Sequence, residues 1–456
     1  MIEPHALRAR FAERLSAHYG REVPAYTTLV DVAEEVNRSW WSARGASPGA
    51  EALGGAGRIG AERHGAIRVG TPAELAQVSR VFAGFGMFPV GFYDLRDAKP
   101  VPVPVVSTAF RPVDPAELER NPFRVFTSML ATRDPAFFDD GLRPRLEAFL
   151  ARRRLFPPRL LELADRAAGE GGLPEEQAQE FVGLASGAFV LSPEPIDGPW
   201  YRELEAISAV AADIGGVAST HINHLTPRVL DIDELYRRLA AKGLKMIDEI
   251  QGPPRWDGPD VLLRQTSFRA LDEPRMFRES DGTVRPGSLR VRFGEVEARG
   301  IALTEAGRDR YDQAVLAADK LRAAESLTGQ EAAARVWPDF FPATEAELAG
   351  DGLGFFTYRV EAHGVVHASP IVYEDFLPRS AAGIFQSNLD EGQDAPSLPP
   401  EADYDQDWLS GAIGRDILDP YQLYREQERA SRAAVAAALG PLSPFDADHN
   451  QIGVPR

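Results

Sequence analysis

The chain has 456 residues, a formal net charge of −18, 44% hydrophobic and 26% charged residues, and no cysteine. The missing cysteines exclude disulfides, thiolate metal sites and cysteine nucleophiles, so any metal must be held by histidine and carboxylate. The acidity argues against a nucleic-acid partner, no apolar run approaches the roughly 20 residues of a membrane span, and the opening Met1-Ile2-Glu3-Pro4-His5 does not read as a signal peptide, so a cytoplasmic protein is expected.

From the N-terminus, residues 1 to about 46 read as mainly helical, with Leu29, Val32, Ala33 and Val36 on one stripe that continues to Trp40. The Gly- and Ala-rich stretch 48–61 reads as a loop. A strand over Arg63–Val69, a helix from Pro72 to Phe85 with Thr71 as N-cap, and strands over Phe88–Asp94 and Val101–Phe110 follow. Between 113 and 215 the texture becomes a mainly helical insertion, with helices over Arg143–Arg154, Pro158–Ala168 and Pro174–Leu184. From His221 strand and helix alternate again: strands near 221–229, 261–269 and 290–301, a helix near 231–242, and a helix over Glu305–Leu321 capped by Thr304. Residues 355–374 look β-like, 390–407 reads as acidic, Pro-rich and extended, and Ala430–Leu439 is a last helix. These shifts divide the chain into N-terminal helices (1–50), a first sheet unit (51–112), the insertion (113–215), a second sheet unit (216–390) and a C-terminal extension (391–456).

A weak internal repeat runs through this pattern. His64-Gly-Ala-Ile-Arg68-Val69 aligns with His224-Leu-Thr-Pro-Arg228-Val229, 160 residues later, and Glu74-Leu75 with Glu234-Leu235. Arg, Val, Glu and Leu are common in this chain, but it has only eight histidines, which makes the match informative. Each copy is a strand with His and Arg on one face by period-2 alternation, followed by a helix. Two such units packed together can each present one histidine to a shared site. The strand-like segment from Val291 to Leu303 carries Glu295 and Glu297 on one face. On a buried strand such a pair needs a cation or hydrogen-bond donors; on an edge strand both would be solvated. Two histidines and one carboxylate are the ligand set of non-haem iron(II) oxygenases. Three positions then stay open, two for chelation by a 2-oxo acid and one for dioxygen, whereas zinc could polarise a substrate but not reduce O2.

Other candidates are weaker. His221, three residues before His224, is expected on the opposite face of its strand, and His363 and His367 lie in a β-like stretch where a helical i, i+4 pair is not expected. No phosphate-binding Gly-x-x-x-x-Gly-Lys-Ser/Thr loop and no Gly-x-Ser-x-Gly elbow is present.

The two His-x-x-x-Arg strands together with Phe293-x-Glu295-x-x-x-Arg299-Gly300 resemble the vicinal oxygen chelate superfamily, whose 4-hydroxyphenylpyruvate dioxygenase branch has a similar Phe-x-Glu-x-x-x-Arg strand with Glu as metal ligand. That resemblance selects Glu295 over Glu297. A closer resemblance is to the 2-oxoadipate dioxygenase/decarboxylase family. It is carried by Arg63-His-Gly-Ala-Ile-Arg-Val-Gly-Thr71, Asn223-His-Leu-Thr-Pro-Arg-Val-Leu-Asp-Ile-Asp233, Leu262-Leu-Arg-Gln-Thr-Ser-Phe268, the Phe293–Thr304 segment, Tyr373-Glu-Asp-Phe-Leu-Pro378 and Ser380-Ala-Ala-Gly-Ile-Phe-Gln-Ser-Asn-Leu389. The resemblance implies an α+β fold of two βαβββ modules forming a central open barrel, and conversion of 2-oxoadipate and O2 to 2-hydroxyglutarate and CO2 in lysine catabolism. It implies Fe(II) held by His64, His224 and Glu295, and Arg68 as the substrate-binding arginine. Arg68 stands four residues, about 13 Å, along the strand from His64, a span that a chelated dicarboxylate and a long side chain can fill. Gln265 and Ser267, on one face of their strand, and Ser380 are further expected pocket residues. A non-redox isomerase or lyase of the same superfamily, or a non-catalytic binding protein, is the alternative. The insertion is compatible with a homo-oligomer or with a cover over the site.

Overall fold

Strand β1 (Arg63–Val69) is buried along nearly its whole length, which demands partners on both edges and both faces. It sits inside a five-stranded sheet of order β2-β3-β4-β1-β6, made with β2 (Phe88–Asp94), β3 (Val105–Arg111), β4 (Arg124–Leu130) and β6 (Ile222–Pro227). β1 runs parallel to β4 and antiparallel to β6. A short β5 (Ile196–Asp197) joins β8 (Glu273–Arg278) and β9 (Val284–Leu289), β7 (Leu263–Phe268) pairs with β10 (Gly294–Arg299), and β11 (Phe356–Val360) pairs with β12 (Val366–Pro370). The computed structural model describes residues 1–44, 55–98, 102–290, 292–377 and 404–439. It is a mixed α+β fold with several small sheets, and among the described residues none closes into a barrel. No described helix is long and apolar enough to cross a membrane.

Alternation along β1 sends its side chains to two different environments. Ile67 and Val69 enter a core with Leu75, Val78 and Phe82 of the helix Pro72–Gly84 and with Leu7, Phe11, Leu29 and Val32 of the N-terminal helices Pro4–Glu22 and Pro24–Arg44. The other face carries His64, Ala66 and Arg68, with Ala66 in a separate cluster beside Phe126 and Phe376. Gly65 packs closely against the neighbouring strand, since a Cβ there would lie 2.8 Å from the terminal methyl of Ile222. Thr71 caps the helix Pro72–Gly84 as expected, its side chain accepting from the Glu74 amide.

The two halves follow the same order of pairing. β1, the helix Pro72–Gly84, β2, β3 and β4 return so that β4 lies parallel to β1, with Arg68 opposite Ser128. β6, the helix Ile232–Ala241, a segment bridged at Met246 and Gln251, β7 and β10 return so that β10 bridges β6 in parallel, with Arg228 opposite Glu297. The N-terminal helices hold the second half in place: Tyr19 Oη lies 2.9 and 2.8 Å from the carbonyls of Asn223 and Phe293, and Asn37 spans the Arg228 carbonyl and the Leu230 amide.

Several expectations are corrected. The segment 113–215 is mainly helical, but it also holds β4, a strand not expected there from the sequence. Its buried Arg124-Val-Phe-Thr-Ser-Met-Leu130 run has no polar alternation because both faces are covered. Residues 55–61 of the expected loop form a helix, Gly55–Ala61. Within 390–407, residues 390–403 lie outside the described residues, while Asp405 caps a helix Gln406–Ile413. The last helix is longer than expected, Pro420–Leu439.

Gly300 ends β10 against the backbone, where an added Cβ would sit 2.2 Å from the Asp260 carbonyl oxygen. Because backbone rather than a side chain blocks the space, Gly300→Ala is expected to destabilise the protein by about 1–3 kcal/mol. Chemical denaturation would read this as a lowered midpoint, and an unchanged midpoint would show that the crossing has room to spare.

Candidate metal centre

The seam between the two halves brings β1, β6 and β10 together. His64 comes from β1, His224 from β6 and Glu295 from β10, and one ligand atom of each lies within 4.8 Å of the others. All three are buried. His64 Nε2 stands 3.5 Å from Glu295 Oε2, and His224 Nδ1 contacts the same oxygen. The imidazole rings meet edge to face at 5.3 Å between centroids. Aromatic rings close the sides: Phe376 lies 5.0 Å from His64 and Phe293 5.1 Å from His224. Thr226 Oγ1 lies 3.3 Å from Glu295 Oε2 and 3.4 Å from His224 Nδ1.

Burial opposes the ionised form of Glu295, but His224 and His64 outweigh it and hold its pKa down at about 2. Burial likewise opposes the His64 imidazolium, and here Glu297 and Glu295 prevail, so its pKa is raised. For His224 burial wins over Glu295, helped by the charges of His64 and Arg68, and its pKa is lowered. A buried anionic carboxylate facing two imidazoles, one of them biased to neutrality, is a donor set that suits a divalent cation.

Glu297 lies two residues further along β10 and is not in the cluster of three. Its Oε2 is 3.0 Å from His64 Nδ1, and Arg299 donates to its two oxygens at 2.7 and 2.9 Å. Behind it stands a buried ion network. Glu62 accepts from Arg124 at 2.6 Å and from Arg228 at 2.9 Å, and Glu374 pairs with Arg124 at 2.7 Å.

Arg68 is not a surface residue. It is buried and pairs with Asp213, which also lies 3.2 Å from His221 Nε2 and accepts from Asn223 at 2.8 Å. His221 therefore departs from expectation. The register between β1 and β6 slips between Ala66 and Ile67, where Ala66 faces His224 and Ile67 faces Ile222. That bulge returns His221 to the side of Arg68 and Asp213. The repeat's second arginine, Arg228, points instead into the Glu62 network. Gln265 and Ser267 stand opposite Glu297 and Glu295 in the β7–β10 ladder, and both are buried. Ser380 lies outside the described residues. His363 occupies a turn with φ of 69° and His367 lies on β12, so they form no helical pair.

Sequence reasoning missed Asp213, Thr226 and Phe376. Thr226 was within reach, two residues from His224 on the same strand face. Asp213 belongs to the helix Ala209–Gly215, far from β1 in sequence, and no spacing links it to Arg68.

Burial disfavours the Glu62 carboxylate, yet Arg228, Arg124, Arg58 and Arg299 bring its pKa down to about 2. A depressed pKa means stability that is present above the unfolded value and lost as pH falls through the folded one. Glu62→Gln is therefore expected to be less stable than the parent at pH 6, with the deficit shrinking between pH about 4.5 and about 2. Denaturation midpoints across pH check this; a deficit independent of pH would contradict it.

A family model described as 2-oxoadipate dioxygenase/decarboxylase matches residues 11–388. A Mycobacterium tuberculosis protein called 2-oxoadipate dioxygenase/decarboxylase is 60% identical over 423 residues, 93% of this chain and 96% of the relative. The Pseudomonas putida protein of the same name is 40% identical over 473 residues, 96% of this chain and 98% of the relative. A crystal structure of hydroxyglutarate synthase from Pseudomonas putida in complex with 2-oxoadipate superposes with a TM-score of 0.83 at 36% identity, covering 96% of this chain and 99% of that one.

Proposed function

The chain belongs to the 2-oxoadipate dioxygenase/decarboxylase family, and on that premise we propose that it converts 2-oxoadipate and O2 to 2-hydroxyglutarate and CO2 at an iron(II) held by His64, His224 and Glu295. The observation that carries the reading is the meeting of these three buried side chains, from strands far apart in sequence, around one small volume. The reaction balances without an external reductant: carbon 1 leaves as CO2 with its own two oxygens, and both atoms of O2 enter the 2-hydroxy acid, one in the carboxylate formed from the keto carbon and one in the hydroxyl.

Iron(II), when bound, supplies the one-electron chemistry that lets O2 react with a 2-oxo acid. The chain's own residues bind, orient and keep the site dry. Arg68, on the same face of β1 as His64, is the proposed partner of the distal carboxylate, and its pairing with Asp213 aims the guanidinium in advance. Gln265 and Ser267 are proposed to line the pocket beside Glu297 and Glu295; Ser380 is a further candidate. Phe376 and Phe293 shield the imidazoles from water. The shared pairing order of the two halves supports reading them as vicinal-oxygen-chelate-type βαβββ modules forming an open barrel about the seam, with β4 as the last strand of the first. Both modules then contribute ligands.

Product analysis by mass spectrometry, with oxygen uptake followed in parallel, tests the reading: 2-oxoadipate should yield 2-hydroxyglutarate in air, and chelation of iron should stop it. Turnover that persists under argon would point to non-redox chemistry. His224→Ala is expected to lose both tight metal binding and turnover. Arg68→Ala should retain metal while kcat/KM falls about 10-fold or more, the loss of about 1.4 kcal/mol or more of transition-state stabilisation.

A further inference from the structure

A second carboxylate, Glu297, is buried two residues from the ligand Glu295 and takes no place among the three converging ligand atoms. Burying an extra negative charge next to an anionic ligand is costly unless it is paired and hydrogen-bonded. Its surroundings show how it is held. Arg299 donates through Nε and Nη2 to both carboxylate oxygens, and its remaining Nη1 is tied to the carbonyls of Tyr373 at 2.7 Å and Asp375 at 2.9 Å. The Glu297 carbonyl accepts from the Val229 amide at 2.8 Å, which ties this point of β10 to β6. The carboxylate is thus fixed in place, and its Oε2 faces His64 Nδ1 at 3.0 Å.

We propose that Glu297 is a positioning residue for His64: its carboxylate accepts from Nδ1–H, so that Nε2 keeps its lone pair and faces the metal. This rests on the reading that His64, His224 and Glu295 hold an ion. An ionised carboxylate only accepts, so the imidazole nitrogen beside it carries hydrogen. The other nitrogen, Nε2, is the one directed at Glu295 and the cluster. Rotation of the ring or the opposite tautomer would aim an N–H at the cation. His224 differs, because its Nδ1 faces Glu295 Oε2 and the Thr226 hydroxyl, with no second carboxylate to hold it. The order Glu295-x-Glu297-x-Arg299 on one strand face thereby supplies a ligand, the acceptor that orients another ligand, and the cation that keeps that acceptor ionised.

The test uses the full chain. In zinc-loaded protein labelled with 15N-histidine, His64 should show a slowly exchanging, downfield Nδ1 proton, assigned by its loss in His64→Ala. Equilibrium dialysis with Fe(II) and Zn(II) should show Glu297→Gln binding metal about 10- to 100-fold more weakly. Because Glu297→Gln strands Arg299, a charge-balanced Glu297→Leu/Arg299→Met variant serves as the second probe, with the same weakening and loss of the Nδ1 resonance. Parent-like affinity in a folded double variant overturns the proposal, and so does a parent spectrum in which His64 carries no protected Nδ1 proton. Should neither variant fold, the parent spectrum decides alone. If His64→Ala itself keeps parent affinity, it is the metal-site reading that fails, not the role of Glu297.

Discussion

A carboxylate buried away from water must be neutralised or paired, and in this chain Glu295 is paired with two imidazoles from strands in different halves of the molecule. The remainder of the architecture serves that contact. β1 and β6 must lie side by side, β10 must run parallel to β6, and the three must keep their register to within a fraction of the strand repeat. The N-terminal helices help by fastening the backbones at Asn223, Phe293 and Arg228. Depression of the Glu295 pKa to about 2 follows from the same contact, so the carboxylate is charged throughout the neutral range.

The buried arginines show how such a site is kept from collapsing. Arg124, Arg228 and Arg299 are buried with Glu62, Glu297 and Glu374, and each charge has an opposite neighbour. Apolar replacement of a network of this kind often stabilises a protein, so its presence points to specificity of placement. Arg68 and Arg228 occupy equivalent positions in the two halves yet are used differently, Arg68 against Asp213 beside the seam and Arg228 within the network beneath it.

What could be read from the sequence was what alternation and scarcity reveal. Eight histidines in 456 residues make a repeated His-x-x-x-Arg visible, and period-2 spacing puts His64 with Arg68 and Glu295 with Glu297 without any structure. The resemblance to a family then separated Glu295 from Glu297. Three things were out of reach. The face of His221 depends on a bulge between β1 and β6, which shifts alternation by one residue and leaves no local mark. The membership of β4 in the first sheet was hidden because a strand covered on both faces loses its alternation. The partner of Arg68 comes from a helix whose placement is a property of the whole fold.

The pairing of Arg68 with Ser128 and of Arg228 with Glu297 puts the two halves in strand-for-strand correspondence. Two residues back, the counterpart of Glu295 is Phe126, whose ring packs 5.1 Å from Phe376 and so backs the wall against His64. A twofold arrangement built from equal copies would have offered two acids and two binding centres. Here one half carries the acid and the other a hydrocarbon ring at the same station. The acid therefore stands on one side of the seam only, and the ring on the other.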